Sequence, residues 1–74
     1  MKAILEFNLP DDADDFKMAS NALNWYIVCW DLDQALRTKT KYATDDTPQD
    51  KYDAYLEIRD MLREFMADRS LSFD

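Results

Sequence analysis

Hydrophobic and polar positions divide the chain into three patterned segments and a tail. Residues 2–8 (KAILEFN) alternate in part, with Ala3, Leu5 and Phe7 on one face and Lys2, Ile4 and Glu6 on the other. That alternation predicts a short N-terminal β-strand. Leu9-Pro10 ends it, because proline has no N–H and biases the residue before it towards extended geometry. The cluster DDADD (11–15) then reads as a helix start. Asp11 or Asp12 caps free N–H groups, and the remaining carboxylates favour the positive end of the helix dipole.

From about residue 11 to about residue 41 the period is helical, with a candidate break near Ser20-Asn21. At ~100° per residue, Trp25, Val28, Cys29, Leu32, Ala35 and Leu36 form one apolar stripe. Phe16, Ala19, Leu23, Ile27 and Trp30, with Tyr26 at the margin, form a second stripe roughly opposite. A helix apolar on two sides is normally sandwiched between other elements. In a short chain with few elements, one side is expected to face another subunit. The surface expected to take an oligomer partner is Trp30, Tyr26, Leu23 and Ile27.

Polar, turn-rich residues follow, with a linker at 42–47. A second long helix is expected over about 48–68, opened by Thr47 as N-cap, Pro48 in the first position and Asp50 reaching back. Leu71 and Phe73 alternate in the 69–74 tail, which is expected to pack or pair. The predicted fold is therefore one mainly α domain spanning 1–74: a hairpin of two long helices plus a short N-terminal strand, completed by dimerisation.

The second long helix carries the most specific pattern in the chain. Asp50, Asp53, Glu57, Asp60, Glu64 and Asp68 follow spacings of 3, 4, 3, 4 and 4 and fall within a sector of ~80°. Ala54, Ile58, Met61, Leu62 and Phe65 adjoin them, and Arg59 and Arg63 lie farther round. Neighbouring carboxylates at this spacing repel by a few tenths of a kcal/mol. A helix built only for stability would interleave the signs. Asp60 with Arg63 is the one clear local pair. The stripe is either a solvated face or a surface for a basic partner. Its charges rise ~4.5–6 Å per step, which invites comparison with a nucleic-acid backbone.

Composition narrows the chemistry. Sixteen acids against nine bases give a net charge of −7, unfavourable for direct contact with nucleic acid or an anionic membrane. Histidine is absent, which removes Ser-His and Cys-His nucleophile systems and the usual transition-metal sites. Glycine is absent too, and with it the usual phosphate-cradling loops and tight hairpins. Cys29 is a single thiol within an apolar run, read as an inert small hydrophobe in a reducing compartment. No apolar stretch approaches the ~18 residues of a membrane span, and the start lacks a signal-peptide pattern. A cytoplasmic protein without cofactor or metal is expected, and not an enzyme.

Two smaller constellations have simple readings. Asp31-Leu32-Asp33 after the run IVCW imitates the nucleophile motif of haloacid-dehalogenase-type phosphatases. Those enzymes place Asp-x-Asp at a strand end and follow it with glycine and threonine. Here Gln34-Ala35 follow, and on a helix the two carboxylates are ~200° apart. They are expected to flank Leu32 on opposite edges of a core stripe, with Asp33 in reach of Arg37. The cations Arg37, Lys39 and Lys41, near Trp30 and Tyr42, suit the negative end of a helix.

The opening MKAILEFNLPDD, the central WDLDQALR with the KY that follows, and the later YDAYLEIRDMLRE resemble a group of short, largely uncharacterised acidic proteins encoded by tailed bacteriophages. The resemblance covers essentially the whole chain and carries no catalytic residue. It implies action in the cytoplasm of an infected bacterium, where small acidic proteins often disable a host enzyme or defence complex, some by mimicking DNA. The functional expectation is a module that binds a basic surface on a host bacterial protein through the six-carboxylate stripe. The alternative is a structural or assembly subunit that homo-oligomerises through its aromatic helix faces.

Overall fold

The computed structural model describes all 74 residues. Three helices follow in order: α1 (Ala13–Ser20), α2 (Ala22–Lys41) and α3 (Gln49–Asp68). The helical pattern breaks at Asn21, which sits just outside helical geometry (φ −98°, ψ 7°). Its side-chain amide donates to the Lys17 carbonyl at 2.9 Å, the same carbonyl that accepts its backbone N–H at 3.1 Å, so Asn21 closes the end of α1 locally.

The N-terminal strand expected over 2–8 does not form; there is no strand anywhere in the chain. A strand needs a partner edge for its backbone groups, and with every other long segment helical none exists. Residues 1–8 run without regular structure and pack locally instead, Phe7 standing edge-on against Phe16 with ring centroids 5.7 Å apart. Helix capping differs from expectation as well. Asp12 occupies the N-cap of α1 without capping it, because its carboxylate accepts the Asn8 N–H at 2.9 Å. At α3 the N-cap is Pro48, not Thr47, and the expected side-chain cap is missing.

Helices α2 and α3 form an antiparallel hairpin, and burial locates their seam. On α3 the only residues not fully exposed are Tyr52, Tyr55, Arg59, Leu62 and Met66, spaced 3, 4, 3 and 4. On α2 the matching line is Cys29, Asp33, Leu36 and Thr40, with Gln34 beside it. These are the spacings of two helices packed lengthwise at a shallow angle. Lys39 Nζ lies 5.5 Å from the centre of the Tyr55 ring and ties the two helices along one edge.

The core is very small. Leu36, 5% exposed, is the one fully buried hydrophobic residue, and the other fully buried side chain is Asp33. Leu32, expected at the centre of a core stripe, is instead exposed. The seam runs ~80° round α2 from that stripe's middle, so Asp33 lies on it and Leu32 does not. The molecule is correspondingly elongated, 56 × 28 × 19 Å. No helix is long and apolar enough to cross a membrane.

Candidate functional site

Asp33 accepts five hydrogen bonds and is 0% exposed. Arg59 grips both carboxylate oxygens, donating from Nε to Oδ1 at 3.0 Å and from Nη2 to Oδ2 at 3.2 Å. Arg63, one turn along α3, does the same at 3.0 and 2.9 Å. Gln34 adds a longer contact to Oδ2 at 3.3 Å. Paired two-point contacts of this kind are the strongest that a carboxylate makes with arginine. The hydrogen bond from Arg63 holds the Asp33 carboxyl at about 2 in spite of its burial, with Arg59 adding to the effect. In return, the bond to Asp33 raises the Arg63 guanidinium above its ordinary value.

This arrangement corrects two expected pairings. Asp33 reaches across the seam to α3 instead of along α2 to Arg37, and Arg63 turns to Asp33 instead of to Asp60. Pairings in i, i+4 were legible from spacing alone, whereas a carboxylate 26 and 30 residues from its arginines was not. The sequence does carry a signal: Arg59 falls on the heptad line of α3 that packs on α2, and Arg63 lies one turn along at its edge. Charges on a packing line need a counterion from the facing helix. Asp31, two residues from Asp33, is exposed on the outer side of α2, so the Asp-x-Asp pair does not converge.

The six carboxylates Asp50, Asp53, Glu57, Asp60, Glu64 and Asp68 are all exposed. None lies within ion-pair distance of a cation, since the only two salt bridges in the molecule belong to Asp33. Asp53 alone has a side-chain partner, the neutral amide of Gln49 at 2.9 Å. The stripe lies ~150° round α3 from the seam and extends ~27 Å along the axis. With both mid-helix arginines committed to the seam, nothing on α3 neutralises it. No three acidic or cysteine side chains converge as a metal would require.

The expected apolar surface is divided by the tail. Phe73 folds back onto α2, standing edge-on to Tyr26 and Trp30 with ring centroids 5.9 and 5.3 Å apart. The Tyr26 hydroxyl donates to the Phe73 carbonyl at 2.8 Å, and the Arg63 guanidinium lies 5.5 Å from the Phe73 ring centre. Tyr26 and Trp30 thus form the seat of the tail while staying partly open to solvent, and Leu23 and Ile27 are exposed as well. A cleft of about 340 Å³ lies under the tail, lined by Met18, Cys29, Met66 and Leu71 among others. No protein-family model, curated protein or solved structure matches the chain.

Proposed function

We propose that this protein is a non-enzymatic interaction module that engages a basic surface of a host bacterial protein through the acidic face of α3, and so inhibits or modulates that protein. The observation that carries this reading is the separation of charge on one helix. Six carboxylates stand exposed and unpaired on one side, while the two mid-helix arginines are withdrawn to Asp33 on the other. A rigid, unneutralised row of this kind gives electrostatic steering towards a cationic groove. Grooves that normally hold a nucleic-acid backbone are the best fit, which makes a nucleic-acid-binding or defence enzyme the favoured target class.

The stripe is tested by capture from bacterial lysate on immobilised protein at low and high salt. A basic partner should be retained at low salt, be released as salt rises, and be lost with Glu57→Lys plus Glu64→Lys. Both positions are exposed and off the seam, so the helical content of that variant should be unchanged. Salt-independent capture, or capture undiminished by the double substitution, overturns the reading. The alternative role, a structural subunit that homo-oligomerises, is favoured by a different observation, the extent of apolar surface left bare.

A further inference from the structure

The hairpin leaves one broad face uncovered, on the side away from Phe73, with Trp25 at its edge also lining the cleft under the tail. On α2, Trp25, Val28 and Leu32 are exposed and centred ~80° from the seam. On α3, Ile58, Met61 and Phe65 are exposed and centred ~120° from it. Because the helices are antiparallel, their phases run in opposite senses, and these two rotations bring both rows to the same side of the hairpin. The Lys39–Tyr55 contact lies on that side, whereas Phe73 lies on the opposite one, over Trp30. The rows are spaced 3 and 4 on α2 and 3 and 4 on α3, and small residues extend them, Ala35 on α2 and Ala54 on α3. The result is a mainly apolar patch ~15 Å long in which the α2 and α3 rows lie staggered, with Lys39 as the charge at its α2 end. The acidic stripe borders it along α3, and Asp31 borders it along α2.

We infer that this face is covered by a second copy of the chain, two hairpins packing face to face as a four-helix bundle. The surface area points to that occupant. A compact monomer of 8.8 kDa exposes about 4,800 Å², whereas this chain exposes 6677 Å². The excess of about 1,900 Å² per chain matches one side of an obligate homodimer interface, which buries about 2,000–5,000 Å² in all. The radius of gyration agrees, at 17.5 Å against about 11 Å for a compact chain of this length. With a single buried leucine, the isolated hairpin has too little apolar burial to offset the ordering of its backbone. A partner required for folding must be present whenever the chain is made, and a second copy always is. Its rows at heptad spacing are what such a face accepts. This places the self-association surface on Trp25, Val28, Leu32, Ile58, Met61 and Phe65, opposite the expected Trp30, Tyr26, Leu23 and Ile27.

The test is sedimentation of the full chain together with thermal unfolding over a hundredfold range of concentration. A dimer is expected, with a melting midpoint that rises with concentration. Leu32→Glu plus Met61→Glu should weaken association by at least ~100-fold, since each dimer would bury four unpaired charges. Leu23→Glu, on the tail side, should leave the mass unchanged. Added salt should tighten the dimer, because each copy carries −7. Salt should loosen the stripe's hold on a basic partner, so failure of one reading is distinguishable from failure of the other. A monomer with a concentration-independent midpoint overturns the proposal, whether or not the glutamate variants fold. So does a dimer that survives Leu32→Glu plus Met61→Glu, or one broken by Leu23→Glu.

Discussion

A carboxylate with no exposed surface is the most demanding residue in this chain, and its energetics can be read from its partners. Arg59 is 24% and Arg63 51% exposed at the side chain, so the ions are desolvated unequally and Asp33 most of all. Removing the Asp33 carboxylate would leave two guanidinium groups one turn apart with no counterion between the helices. Asp33→Ala should cost about 3 kcal/mol in denaturant unfolding, the lower end for a broken buried pair because Arg63 reaches water. Replacing all three by apolar residues (Asp33→Leu, Arg59→Leu, Arg63→Met) should recover most of that loss. The carboxyl falls from an ordinary 3.8 to about 2 in the fold. Between those values the unfolded chain binds more protons, so stability is complete above about pH 4 and drains away as pH falls through 2. About 2 kcal/mol should disappear over that window. The triple variant should lack this component. An unchanged acid profile in that variant would show that Asp33 is not its source.

At the scale of elements, periodicity told the number and type of helices well and their environment poorly. The hairpin, the break near Ser20-Asn21 and the acidic line on α3 follow from spacing that each segment carries in itself. The strand did not, because alternation over seven residues says nothing about whether a partner edge exists. Nor did the direction in which α2 packs, since its two apolar stripes left the choice open, and the observed seam runs between them along Asp33. The paired grip of Arg59 and Arg63 on one carboxylate also sets the register of the hairpin. A slip by one heptad would bury charge opposite a hydrocarbon. The C-terminus of α3 shows the same limit. The chain has no glycine to supply the usual C-cap, yet the cap forms, with Ser70 in left-handed geometry at φ 57°. Ser70 N–H donates to the Ala67 carbonyl at 3.0 Å and Leu71 N–H to the Met66 carbonyl at 2.8 Å, the Schellman pattern. That turn directs the tail back to Tyr26 and Trp30. A non-glycine residue carries a penalty there. Ser70→Gly should therefore raise stability by about 1 kcal/mol with the Tyr26–Phe73 contact retained. A loss of stability would mean that the left-handed turn is not the resting geometry.

For the whole molecule, charge and apolar surface act against each other, and salt separates them. A net charge of −7 on 74 residues resists both compaction and the approach of a second copy. The attractive contributions lie where salt reaches least: the Asp33 carboxylate is fully buried, and the uncovered face is mainly apolar. Six of the sixteen acids stand on α3 with no cation within ion-pair distance, so screening relieves repulsion there without breaking any bridge. Raising sodium chloride from tens to hundreds of millimolar should thus increase the melting midpoint by several degrees. The increase should shrink in Glu57→Lys plus Glu64→Lys, which lowers the net charge and interrupts the row. If the surface charges instead contributed net attraction, salt would lower the midpoint, and a fall would place cations of the molecule against the stripe. The same row that weakens the free protein is the one a cationic groove would neutralise. Stability given up along α3 in isolation is then regained on binding, which links the fold's least favourable feature to the function proposed for it.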